Sequence, residues 1–64
     1  MKGFRIIRQT GELVETQYLT VDGTWSWFES FGYVFTLQRR VVEVILAGVS
    51  EGNYRYVYST EEVE

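Results

Sequence analysis

Two Trp, five Tyr and four Phe are packed into 64 residues that contain no Cys, His or Pro. That combination constrains the fold more than any other feature. Disulfides are excluded, and so are zinc sites built on thiolate or imidazole ligands. Stability must come from burying the rings, and aromatic side chains carry the largest apolar area available to a short chain. The same rings dominate the energetics of protein interfaces. They fall in two clusters: Trp25, Trp27, Phe28, Phe31, Tyr33 and Phe35, then Tyr54, Tyr56 and Tyr58.

A chain of this size folds as one domain with a surface of about 4,200 Å². Its apolar burial is worth roughly 100 kcal/mol. Ordering the chain costs nearly the same at roughly 1.5 kcal/mol per residue. A self-contained monomer is therefore marginal, and the balance points to a homo-oligomer or a protein partner. The formal charge of -3 is concentrated at one end, since Glu61, Glu62 and Glu64 lie in the last four residues. The six basic and six acidic residues of positions 1–60 cancel. This pattern predicts a globular body over 1–60 and an acidic, disordered tail over 61–64. A neutral body gives nucleic acid little electrostatic pull. No apolar run is long enough for a membrane span or signal segment, so a cytoplasmic protein is expected.

Phe4, Ile6 and Ile7 with Arg5 and Arg8 read as a strand. Thr10-Gly11 reads as a hairpin turn with Gly11 at positive φ, and Leu13 to Leu19 as the returning strand. Asp22-Gly23 is the next turn signal. Over 24–31, Thr24 can cap a short helical turn that places Trp25, Phe28 and Phe31 on one face and turns Trp27 away; a strand in which Trp25 and Trp27 alternate with Ser26 and Phe28 is also compatible, and the helical turn is favoured. Tyr33 to Leu37 reads as a strand. Residues 36–48 carry both periods. A helix is compatible, but four β-branched residues within Val41–Leu46 favour a strand. Ser50 to Asn53 is a turn, and Tyr54 to Thr60 the last strand. The fold class is mainly β, with a small α+β variant compatible. It is a single antiparallel sheet of about five strands curled as a small barrel or half-barrel, with the short helical turn around 24–31.

No catalytic set emerges. With no His or Cys, the usual general base and the usual nucleophile are both missing. No phosphate-binding or nucleophile-elbow motif occurs. Glu12 with Glu15, or Glu29 with Glu43, are better read as solvated carboxylates than as a glycosidase pair. No enzyme activity, cofactor or metal is expected.

Binding residues are easier to name. Trp25, Trp27 and Phe28 are too close in sequence to enter one small core together, so at least one ring should face solvent. Tyr54, Tyr56 and Tyr58 alternate with Arg55 and Val57 and share one strand face. Arg39-Arg40 is the one adjacent basic pair, expected at a hairpin tip. Glu29 stands beside the tryptophans. These eight residues (Trp25, Trp27, Glu29, Arg39, Arg40, Tyr54, Tyr56 and Tyr58) are the candidate partner-binding set. The expectation is a non-enzymatic protein-binding module. Its role would be that of a stoichiometric inhibitor or accessory protein, of the phage or mobile-element type, acting on a nucleic-acid-handling protein. The alternative is a small single-stranded nucleic-acid binder that stacks bases on Tyr54, Tyr56 and Tyr58 with Arg5, Arg8 and Arg55 nearby. The neutral body weighs against it.

Overall fold

The computed structural model describes residues 2–10, 15–52 and 55–64. Four strands form one antiparallel sheet in the order β3-β2-β1-β4: β1 Gly3–Thr10, β2 Thr16–Leu19, β3 Trp25–Ser26 and β4 Tyr56–Val63. A 3-10 turn spans Glu29–Phe31 and one helix, α1, spans Arg39–Ser50. The sheet is open, with β3 and β4 at its edges.

β1 and β2 pair antiparallel, as the sequence suggests, with Ile7 opposite Tyr18 and Gln9 opposite Thr16. Gly11 and the turn itself lie outside the described residues, as does Tyr54. β1 is one of the two interior strands and pairs with β4 over its full length, from Gly3 opposite Val63 to Thr10 opposite Tyr56.

Three expectations are corrected. Residues 39–50 form a helix, not a strand. As a strand, Val42, Val44 and Leu46 would face one side and Val41, Ile45 and Ala47 the other, and both faces would need cover. As a helix, Val42, Ile45, Leu46 and Val49 make one stripe at i, i+3, i+4 and i+7, which the sheet can cover. Val42 is fully buried, and Ile45, Leu46 and Val49 pack against it. Tertiary packing of this kind outweighs a β preference that spans only about 1 kcal/mol.

The second correction concerns Tyr33 to Leu37, which contributes a single bridge, at Phe35, instead of a fifth strand. The segment is a wedge. Tyr33 N–H donates to the Leu19 carbonyl (2.8 Å), while Phe35 and Phe4 exchange two backbone bonds (2.9 and 2.7 Å). Tyr33–Phe35 thus fills the gap where β1 and β2 part. Gly3 makes room for it, since a Cβ there would stand 2.4 Å from Val34 Cγ1.

The third correction is the acidic tail. Glu61, Glu62 and Val63 are the last part of β4. Period-two alternation sets Glu61 opposite Arg5 and Glu62 opposite Phe4. Their carboxylates are used: Glu61 with Arg5 (3.1 Å), Glu62 with Lys2 and with Arg39 (3.6 Å each).

The core lies between α1 and the sheet face that bears Phe4, Ile6, Leu19 and Trp25. Ile6, Leu19 and Val42 are buried, with Phe4, Trp25, Phe35, Ile45, Leu46 and Val49 packed around them. On the opposite face Arg5 is held between Glu29 of the 3-10 turn and Glu61, each at 3.1 Å. Gly32 crosses that face close to Arg5 and Tyr18. The surface totals 4,735 Å², above the roughly 4,200 Å² expected for a compact monomer of this mass.

Candidate protein-binding surface

The turn Thr20–Thr24 joins β2 to β3 and sets the surface beyond it. Gly23 takes φ +86°, a region that L side chains resist. Asp22 is the hub. It accepts from the Thr20 and Thr24 hydroxyls (the latter 2.7 Å) and from the Thr24 N–H at 3.3 Å. Those bonds, the Thr20 hydroxyl first, lower its carboxyl to about 2 from the ordinary 3.8. The group is fully ionised at neutral pH.

Beyond the turn the chain makes only two strand residues before it leaves the sheet. Trp25 and Leu19 are paired on the core side. The Trp25 ring meets Tyr58 edge-on at 5.8 Å, and the Arg8 guanidinium lies over it at 4.4 Å. Arg8 also lies 4.1 Å from the centroid of Tyr56, and its Nε donates to Gln17 at 2.6 Å. Trp25, Tyr56, Tyr58 and Arg8 therefore form one half-buried stack. It is part of the packing on the helix side of the sheet.

Trp27, Phe28 and Phe31 are different. They are 56%, 65% and 63% exposed. The helical expectation put Phe28 and Phe31 inward with Trp25, and the structure corrects this. The 3-10 turn covers only Glu29–Phe31, and Phe28 before it is extended, so no helical face gathers the rings. Phe28 and Phe31 instead pack edge-on against each other at 5.9 Å. Phe31 also lines an open depression of about 450 Å³ with Val21, Asp22, Trp25 and Ser26. Val21 is itself strongly exposed. Sequence reasoning had the right segment but missed Val21, Phe28 and Phe31. The signal was present in the crowding of four large rings within seven residues, more than a small core can take.

The remaining candidates do not gather here. Glu29 stands in the 3-10 turn and binds Arg5. Arg39 and Arg40 open α1 and do not sit at a hairpin tip. Arg39 lies 5.3 Å from the Phe4 ring, and Arg40 is exposed. For base stacking, the residues are split: Arg8 is sandwiched by rings on one face, and Arg5 is clasped by two carboxylates on the other. No cluster of three or more metal-ligating residues occurs among the described residues. None of their helices is long and apolar enough to cross a membrane. Comparison with family models, with curated proteins and with solved structures gave no match.

Proposed function

We propose that this protein is a non-enzymatic binding module that docks a protein partner on Trp27, Phe28 and Phe31 and the adjoining depression. One observation carries the reading: three of the largest side chains stand more than half exposed, whereas the buried hydrophobic core among the described residues is Ile6, Leu19 and Val42. Aromatic rings have few rotatable bonds to immobilise on binding, and such rings are the usual anchors of an interface. The rim carries one ionised carboxylate, Asp22, which borders the depression, whereas Glu29, beside Phe28 in the chain, is paired with Arg5 at 3.1 Å. An apolar patch with a negative rim fits a basic partner surface. Complementary charge speeds docking and rejects acidic competitors. A nucleic-acid-handling protein, blocked or assisted stoichiometrically, has a surface of that kind.

The test is capture from an extract of the native source, after nuclease treatment, by wild-type protein and by Trp27→Ala and Phe31→Ser. A protein retained one-to-one by wild type and lost by both variants, each still folded, supports the reading. Equal retention by all three, or retention that depends on nucleic acid, overturns it.

A further inference from the structure

The depression beside the turn has a feature that the exposed rings do not use. Its lining holds one carboxylate, Asp22, and no basic residue. The Thr20 hydroxyl, the Thr24 hydroxyl and the Thr24 N–H all donate to the same oxygen of that carboxylate, Oδ1. Oδ2 accepts none of these bonds. The three donors hold the carboxylate in place and lower its pKa to about 2, so it is an anion at neutral pH. Among the described residues no ion pair reaches it. The arginines of β1 are engaged elsewhere. Arg5 is held by Glu29 and Glu61, and Arg8 lies between the Trp25 and Tyr56 rings and donates to Gln17. A fixed anion with one open oxygen thus borders a depression that contains no cation of its own.

The walls select among cations. Val21 is 80% exposed and Phe31 63%, so both offer apolar surface to an occupant. A metal ion gains nothing from such walls, and one carboxylate is too few ligands for calcium or zinc. A basic side chain uses both features. Its alkyl stem covers apolar surface while the charged head stays at the wet edge. A cation over a phenyl ring is attracted by the ring as well. Phe28 packs on Phe31 only edge-on, at 5.9 Å, and leaves most of that ring uncovered. The Trp25 ring, already under Arg8, serves as a wall. The space, about 450 Å³ and open to solvent, suits a side chain presented by a docked protein better than an enclosed small molecule.

We propose that the depression receives an arginine or lysine side chain of the protein partner, its cationic head on Asp22 Oδ2 and its stem along Val21 and Phe31. The inference rests on the docking surface proposed above and names the side chain that enters it. Because Oδ1 is already saturated, the head approaches end-on through one donor. The turn supplies the anion in its bound geometry, so little ordering remains when the cation arrives. Trp27 and Phe28 lie outside the depression and add apolar contact around it.

Titration with Nα-acetyl-arginine amide and Nα-acetyl-lysine amide tests this, followed by NMR at the Ser26 amide and the Phe31 ring. Nα-acetyl-citrulline amide is the neutral control. At least one cationic probe should give saturable shifts with a millimolar Kd, at least tenfold tighter than citrulline. Asp22→Asn should weaken that binding at least tenfold. Val21→Lys, at an exposed site outside the turn's hydrogen bonds, sets a resident ammonium at the rim; it should do the same, and serves if Asp22→Asn disturbs the turn. Glu43→Gln, which removes an exposed carboxylate of α1, should leave binding unchanged. No saturable shift with either cation, citrulline binding as well as the cations, or a loss on Glu43→Gln equal to that on Val21→Lys overturns the proposal. The capture experiment separates it from the docking reading. Specific cation binding with no captured protein supports this site and overturns docking, whereas a captured protein with no cation binding overturns this site alone.

Discussion

Replacing Gly3 by alanine should cost this protein about 1–2 kcal/mol, although alanine is ordinarily the better residue inside a strand by about 0.5–1 kcal/mol. The added Cβ would lie 2.4 Å from Val34 Cγ1 and 3.1 Å from the Phe35 carbonyl oxygen. Carbon atoms prefer about 3.5–4.0 Å, so the valine must retreat by more than an ångström. A β-branched side chain has few rotamers to retreat into. The backbone cannot follow easily, because Phe35 is tied to Phe4 by two hydrogen bonds, each worth about 1 kcal/mol net. Overpacking of this kind costs about 1–3 kcal/mol, and the entropic gain from losing a glycine offsets part of it. In a domain this small the melting temperature should fall by roughly 5–15 °C. A double-mutant cycle isolates the cause. In a Val34→Ala background the clashing methyl is gone, and Gly3→Ala should be near neutral, a coupling of about 1 kcal/mol. Thermal and urea melts of the four proteins suffice. If Gly3→Ala stabilises the wild type, or costs the same in both backgrounds, Val34 does not press on Gly3 and the wedge between β1 and β2 is misplaced.

The folded carboxyl of Asp22 is depressed to about 2 from 3.8. Its contribution is complete above about pH 4 and lost as pH falls through about 2. Melting temperatures between pH 6 and pH 1.5 should therefore decline more steeply for wild type than for Asp22→Asn, and parallel curves would count against the turn network. Gly23 and Gly52 hold φ of +86° and +78°, so Gly23→Val or Gly52→Val should lower stability by more than about 1 kcal/mol, read from the urea midpoint. Arg39 and Arg40 face the positive end of the α1 dipole with no acidic residue in the first turn. Arg40→Glu should raise stability by about 0.3–1 kcal/mol, and an unchanged or lower melting temperature would contradict that.

The sequence was legible where a single period dominated. β1 and β2 follow from alternation and turn residues alone, although alternation does not choose between Ile6 and Ile7, of which the helix covers Ile6. It was ambiguous at Arg39–Ser50, where β-branched composition and a helical stripe coexist and only the uncovered sheet face decides between them. It misled at Glu61–Val63. Three glutamates within four residues look like a solvated end until β4 is aligned with β1 and Glu61 meets Arg5. The wedge of Tyr33–Phe35 could not be read at all, because it depends on where two distant strands part. In the candidate binding surface, crowding implied that at least one ring among Trp25, Trp27 and Phe28 faces solvent, and Trp27 and Phe28 both do. Phe28 and Phe31 were misassigned because a 3-10 turn of three residues leaves no periodic trace.

Two tryptophans two residues apart stand in opposite environments, and the melting temperatures of their variants test that difference most directly. Trp25 packs on the core, on Tyr58 and under Arg8. Trp27 is 56% exposed. Trp25→Ala should cost about 3 kcal/mol or more, a fall of over 10 °C. Trp27→Ala should cost less than half as much and leave a cooperative melt. If Trp27→Ala melts as low as Trp25→Ala, or lower, both rings belong to the core, and the exposed aromatic surface is not a binding site.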